Sequence, residues 1–317
     1  MQNLLRGAIC ALALTVAVPA ASAASLKITA PAAPGGGWDQ TARAMQMVLQ
    51  TEKLATGVQV ENVPGAGGTI GLAQFALRSK GDPNALIVGG FVMVGAIITN
   101  KAPVTLDQVT PIARLTGEYE AIVVNADSPV KSIADIVTML KANPGSVSWG
   151  GGSAGGTDHI TAGLIAKAAG VDPTKVNYIA YSGGGESMAA ILGGKTTVGV
   201  AGYGEFDSQV KAGKLRVLAI SAPERVAGID APTLKESGLD VVIQNWRMVA
   251  APAGLKPDKK AELVKTIAAM AKSQAWQDQL KAKGWTDTFL EGDAFEAQLK
   301  SDIAKTEAIL KEIGLAK

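Results

Sequence analysis

Five glycine clusters constrain this chain more than any other feature. Each lies between a strand-like run and a helix-like run: residues 35–37, 65–68, 150–156, 183–185 and 202–204. The first is typical. "LKITA" (26–30) alternates toward an apolar strand, "APGGGW" follows, and Met45, Val48 and Leu49 then repeat at helical spacing. The same alternation continues through strand candidates 58–63, 85–90, 121–125, 147–151, 176–181, 196–202, 215–221 and 246–252. Helical stripes fall between them, as at Ile133, Ile136, Val137 and Leu140, or Ile160, Leu164, Ile165 and Ala168. This is an α/β pattern, with mixed, mainly parallel sheets and helices on both faces. From Lys259 to Leu315 the pattern changes to amphipathic helices, interrupted by one strand candidate at 285–290.

A glycine turn that opens a helix has a chemical use. The first helical turn leaves backbone N–H groups unpaired and carries partial positive charge. Glycine lets a ligand approach that backbone, so each turn is a ready anion site. None of the five clusters contains Lys or Arg. An anion held there would be bound by N–H groups and by hydroxyls such as Ser153, Thr157 and Ser182. Two stretches, 121–129 and 241–252, suit crossings between domains. They divide the chain into domain 1 (24–123 and 246–317) and domain 2 (124–245), so two clusters face three across a cleft.

Composition narrows the setting. Arg6, the apolar run "GAICALALTVAVPA" and the small residues "ASA" make residues 1–23 an export signal, cleaved before Ala24. Cys10 is the only cysteine and lies inside it, so the mature chain has no disulfide or thiolate metal site. Without Arg6, basic residues nearly balance the 28 acidic ones, which makes nucleic acid an unsuitable partner.

Three catalytic or cofactor motifs fail in context. "GGGSAG" (150–155) fits a dinucleotide fingerprint, but Asp172 precedes the next strand instead of ending it. "GGSAG" (151–155) fits a nucleophile elbow at Ser153, yet the only histidine, His159, lies six residues later on the same helix. "GGKT" (193–196) lacks the first P-loop glycine, since Ala189 stands there. His159 either packs locally or makes a pH-sensitive contact with a bound anion. Asp39 and Asp158 stand in first helical turns, where a carboxylate favours the helix start. Trp38 and Trp246 either wall a cleft or pack inside. Arg43 and Arg247 are candidates for an extra carboxylate.

With these turns in place, the chain resembles the extracytoplasmic substrate-binding proteins of tripartite tricarboxylate transporters, the Bug or TctC type. The resemblance rests on "APGGGWDQTARAM", "VENVPGAGGTIG", "GGSAGGTDHITAGL", "YIAYSGGGESMAAILGGK", "AGKLRVLAISAPER", "APTLKESGLD" and "WRMVAAPAGL", which span nearly all of 26–317. "GGGWD" and "YSGGGE" are similar to the citrate-type branch. The resemblance implies a two-domain periplasmic binding protein of the Venus-flytrap, type II-like fold. Its first-domain contacts would be Gly35, Gly36 and Gly37 with the turn Gly65, Ala66, Gly67 and Gly68. Its second-domain contacts would be Ser153, Gly156, Thr157, Tyr181, Gly183 and Gly184. Tyr203 and Glu205 in "GYGEF" extend this set, as do Trp38, Asp39 and His159. The implied function is periplasmic capture of a di- or tricarboxylate such as citrate, tricarballylate or malate for membrane permease subunits. It would act as a monomer, without catalysis, cofactor or metal. Two other readings stay open: an exported hydrolase using Ser153, and a ligand-presenting partner of a membrane sensor kinase.

Overall fold

A computed structural model describes residues 25–182 and 184–317. The export signal, its cleavage point, Cys10 and Gly183 lie outside the described residues. The chain opens with β1 (Ser25–Ala30), α1 (Gly37–Thr51), β2 (Gly57–Asn62), α2 (Thr69–Arg78), β3 (Ala85–Gly90) and α3 (Phe91–Thr99). A long strand, β4 (Val109–Asn125), leads into α4 (Ile133–Ala142), β5 (Ser148–Gly151), α5 (Thr157–Ala168), β6 (Asn177–Ala180), α6 (Gly184–Leu192), β7 (Val198–Gly202), α7 (Tyr203–Lys211) and β8 (Leu215–Ile220). The return is β9 (Gln244–Pro252), followed by α8 (Pro257–Ala271), α9 (Gln274–Lys283), β10 (Thr286–Glu291) and α10 (Gly292–Glu312).

The strands follow the order β2-β1-β3-β9-β4-β7-β5-β6, with β10 and β8 also pairing to β4. Pairing is parallel toward the two ends, where β1 joins β2 and β3, and β5 joins β6 and β7. It is antiparallel at the centre, where β4 meets β7, β8, β9 and β10, and β3 meets β9. The sheet is therefore mixed, but the emphasis on parallel pairing holds only at its ends. The cause is the route of the chain: β4 leads toward one lobe and β9 returns from it, so the two strands run in opposite directions.

β4 serves both lobes. Its residues from Val109 to Tyr119 pair with β9, and those from Glu120 onward pair with β7 and β8. Ser221, fully buried, joins the two crossings at this waist. Its hydroxyl accepts from the Glu120 amide at 2.9 Å and donates to the Ile243 carbonyl at 2.6 Å. Each lobe has its own apolar packing. One core gathers Ile28, Leu86, Val249, Ile267 and Trp276, and the other lobe buries Ile136, Trp149 and Val198 on one face and Ile191 and Phe206 on the other. Each such side chain contributes roughly 1.5–3 kcal/mol of burial.

The lobes also touch beside the waist. On α3, Gly95 lies so close to the Gly155 carbonyl that a Cβ could not stand between them. Ile160 of α5 packs into the first lobe's core. The end of α10 reaches α5 as well, through a Lys167–Glu312 ion pair and Ile313 packed over Gly163.

Candidate functional site

A cavity of about 110 Å³ lies between the lobes. It is lined from the first lobe by Gly36, Gly37 and Trp38, by Gly65, Gly67 and Gly68, and by Val92. From the other lobe come Gly152, Ser153, Gly156 and Asp158, then Ser182, Gly184 and Ser187, then Ala201, Glu205 and Phe206. Asn245 and Arg247 reach it from β9. One water needs only about 10–15 Å³ on such a measure, so the space suits a small molecule.

The helix starts are built as the glycines suggest. In α1 the first intrahelical bond runs from the Gln40 amide to the Gly36 carbonyl, so the Gly37, Trp38 and Asp39 amides have no earlier turn to bond. In α5 the equivalent first bond is Ile160 to Gly156. The 65–68 turn requires left-handed backbone at Gly65, Gly67 and Gly68, and the Trp38 ring occupies the space a Cβ on Gly68 would fill. Trp38 thus walls the cavity.

Other glycines are bare for a reason the sequence did not suggest. A Cβ on Gly151 would meet the Asp158 carboxyl, one on Gly184 would meet Glu205, and one on Gly202 would meet Glu118. These glycines make room for the protein's own carboxyl groups. Likewise, a Cβ on Gly37 would strike the Arg247 guanidinium.

Arg247 is 2% exposed, and burial pushes its pKa down to about 9. It forms an ion pair with Glu118, lies 4.9 Å over the Trp285 ring, and donates to Thr41 Oγ1 at 3.4 Å. Behind the cavity, Glu120 is fully buried. Burial first, and then Asp158 and Glu205, raise its pKa well above the usual carboxylate range, with Asn245 offsetting part of this. Burial and Asp158 push Glu205 up to about 8. Burial takes Asp158 to about 6, against the Gly152 amide that donates to it at 2.6 Å.

Several predicted contacts stand outside the cavity lining. The Asp39 carboxylate accepts from the Gly35 amide at 2.8 Å, from Arg43 at 2.9 Å and from Asn62 at 2.8 Å. Burial alone would raise its pKa, but these hydrogen bonds leave it lowered. Asp39 therefore ties the 33–37 loop to the end of β2, and Arg43 is committed to Asp39 instead of a ligand. Gly35 supplies the left-handed turn and Ala66 the next one, both away from the lining. Thr157 is fully buried in the first turn of α5, and Tyr181 extends the β6 edge by donating its amide to Gly151 at 2.9 Å. Tyr203 lies beside Asp207; burial and that carboxylate raise its pKa.

His159 also lies outside the lining. Its ring stacks on Tyr178 at 4.1 Å, Nδ1 accepts from the Gly155 amide at 3.2 Å, and burial lowers its pKa to about 4. These contacts correspond to local packing, one of the two alternatives the sequence left open for His159. Trp246 packs edge-on to Phe91 at 6.3 Å inside the core, so it does not wall the cleft.

Sequence reasoning missed Glu118, Glu120, Ser187 and Asn245. The signal for the first two was present. "EYEAIVV" places Glu118 and Glu120 two apart on a strand, on the same face as Ile122 and Val124.

Comparison with known proteins agrees with this fold. Protein BugT of Bordetella pertussis is 26% identical over 295 residues, covering 91% of this chain and 89% of that protein. MatC of Rhodopseudomonas palustris with bound malate superposes with a TM-score of 0.80 at 22% identity, covering 90% and 98% of the two chains. An R. palustris protein with adipate gives 0.82 at 21% identity, covering 92% and 98%. At such identities these structures speak for the fold, a two-domain binding protein. No helix among the described residues is long and apolar enough to cross a membrane. The sequence model described as the tripartite tricarboxylate transporter family receptor matches residues 41–315, and the chain belongs to that family of solute-binding proteins.

Proposed function

We propose that this protein is a periplasmic receptor that captures a small carboxylate between its lobes and presents it to membrane permease subunits. Members of the family bind small carboxylates and work with membrane transporter subunits. The observation that carries the reading is the cavity itself: the first turns of α1 and α5, whose leading amides have no intrahelical partner, border it from both lobes. The malate and adipate in related folds match that chemistry. The contacts we assign are Gly36, Gly37, Trp38, Gly67, Gly68, Ser153, Gly156 and Gly184. We place the domain limits near 123/124 and 245/246, and the change of strand partners between Tyr119 and Glu120 supports a crossing within β4. Closure about this waist is the switch that traps ligand. His159 does not serve Ser153 as a base, because its ring is turned to Gly155 and Tyr178.

Thermal unfolding with citrate, tricarballylate, malate, succinate and adipate, each beside its amide, tests the reading. Ligand at about 100 times Kd should add ~2.7 kcal/mol of stability. A shift with an acid and none with its amide is expected. Gly36 has φ −69°, which any residue adopts, and a Cβ there would lie 3.2 Å from the Ala33 carbonyl oxygen, so Gly36→Leu should fold with a small shift of the 33–36 loop and lose the thermal response to ligand. A folded Gly36→Leu protein with unchanged affinity would remove the α1 turn from the site.

A further inference from the structure

Glu205 of α7 stands apart from the other carboxyls near the cavity. Asp158 accepts from the Gly152 amide at 2.6 Å, and Glu118 is paired with Arg247. Glu120 is fully buried behind the lining, and neither of its oxygens has a hydrogen-bond partner. Glu205 lines the cavity, and the bare Gly184 leaves its carboxyl room there. Among the described residues no amide or side chain donates a hydrogen bond to it. A carboxylate in that position is an acceptor with no donor, whereas a carboxylic acid carries a donor of its own.

The surroundings keep the proton on. Burial first, and then Asp158 of α5, push the Glu205 pKa up to about 8, and Glu205 in turn raises that of Glu120 on β4. No cation offsets this. Arg247 of β9 is the only basic side chain lining the cavity among the described residues, and Glu118 neutralises it. Lys283 of α9 is turned to Trp285 and Gln40. Lys211, on α7 itself, pairs with Asp207 beside Tyr203. On α6, Glu186 accepts from Ser182. Beside Asp158, burial keeps the proton on Tyr178 of β6 and lowers the proton affinity of the His159 ring stacked on it. An O–H in the cavity wall needs an acceptor, and a carboxylate oxygen makes a short, strong bond with it. Ser187 Oγ, 3% exposed in the same lining and unpartnered, offers the cavity a second hydroxyl donor.

We propose that Glu205 binds the ligand in its protonated form, donating its carboxyl O–H to an oxygen of the bound carboxylate, so that the receptor takes up its anion together with a proton. This rests on the carboxylate-receptor reading and adds the regulation of that site. Below about pH 8 the proton is already on Glu205; above it, the proton must come from solvent, because two facing carboxylates repel. Affinity should therefore be level near about pH 7 and fall toward about tenfold per pH unit above about pH 8.

The test is calorimetric titration of the purified protein with malate, succinate and adipate from about pH 7 to about pH 9, in buffers of unlike ionisation heat. These acids are ionised throughout, so any proton taken up belongs to the protein. Uptake should be close to zero at about pH 7 and rise toward about one proton per ligand by about pH 9. Glu205→Gln keeps an N–H donor but no titrating proton, so it should bind severalfold more weakly near neutrality and lose the fall that begins near about pH 8. Glu205→Ala, with no donor, should bind about tenfold or more weakly. Arg247, brought to about 9 by burial, is common to parent and variant, so the difference between their pH profiles isolates Glu205. Binding with level affinity and no proton uptake through about pH 9 would overturn the proposal and leave the carboxylate reading intact. So would the same fall and the same uptake in folded Glu205→Gln. Binding of no acid in this series or in the thermal panel would bring down the carboxylate reading as well. The parent profile alone can refute the proposal, so a misfolded Glu205→Gln leaves the test standing.

Discussion

Glu118 and Arg247 lie 129 positions apart in sequence and meet as a fully buried ion pair. Such a pair adds little over an apolar replacement, but removing one partner strands a charge and costs about 3–5 kcal/mol. Glu118→Gln should therefore destabilise the protein on that scale in urea unfolding, and an effect below ~1 kcal/mol would contradict the pairing. Neither residue could be paired from the sequence, because nothing local links them. Glu205 offers a test of opposite character. Its pKa rises from 4.5 to about 8 on folding, so its contribution is fully present below 4.5 and lost as pH rises through about 8. Asp158 acts in the same direction between 3.8 and about 6. His159 acts the other way: lowered from 6.5 to about 4, it supports the fold above 6.5 and loses that support as pH falls toward 4. Ligand-free Glu205→Gln should thus lose less melting temperature than the parent between about pH 5 and about pH 8.5. Equal losses in the two proteins would show that Glu205 ionises without a folding penalty.

Elements were legible where one force decides them. The short apolar runs became strands, and the glycine turns became helix starts, because periodicity and backbone freedom are local properties. The first half of β4 was not legible. "VTPIARLTGEYE" contains Pro111, Arg114, Glu118 and Glu120, which read as surface. The Arg114 guanidinium instead donates to Asp302 at 3.4 Å and to Gln244 at 3.0 Å, and Glu118 pairs with Arg247, all from elements far along the chain. Helix α3, "FVMVGAIIT", is apolar on nearly every side, so its sequence carries no helical stripe. The turn into α1 was read correctly as needing bare backbone, but part of that need is internal. Gly37→Ala should displace the Arg247 guanidinium and cost about 1–3 kcal/mol as overpacking, measured by urea unfolding. A neutral result would mean that Arg247 has a second resting place.

At the scale of the molecule, two strands and one buried serine form the waist, and the lobes touch beside it. The contact of Gly95 with the Gly155 carbonyl is the closest approach of the two lobes' backbones described above. It lies outside the cavity lining, and no ligand atom need ever touch it. A single methyl there would act as a doorstop. Gly95→Ala should leave each lobe folded and every ligand-facing group in place, yet make the shut form rarer. If shut molecules became tenfold rarer, apparent affinity would fall about tenfold, and the loss should show as faster escape of ligand. How long this protein keeps its cargo would then be set by one hydrogen atom beside the waist, apart from the chemistry that chooses the cargo.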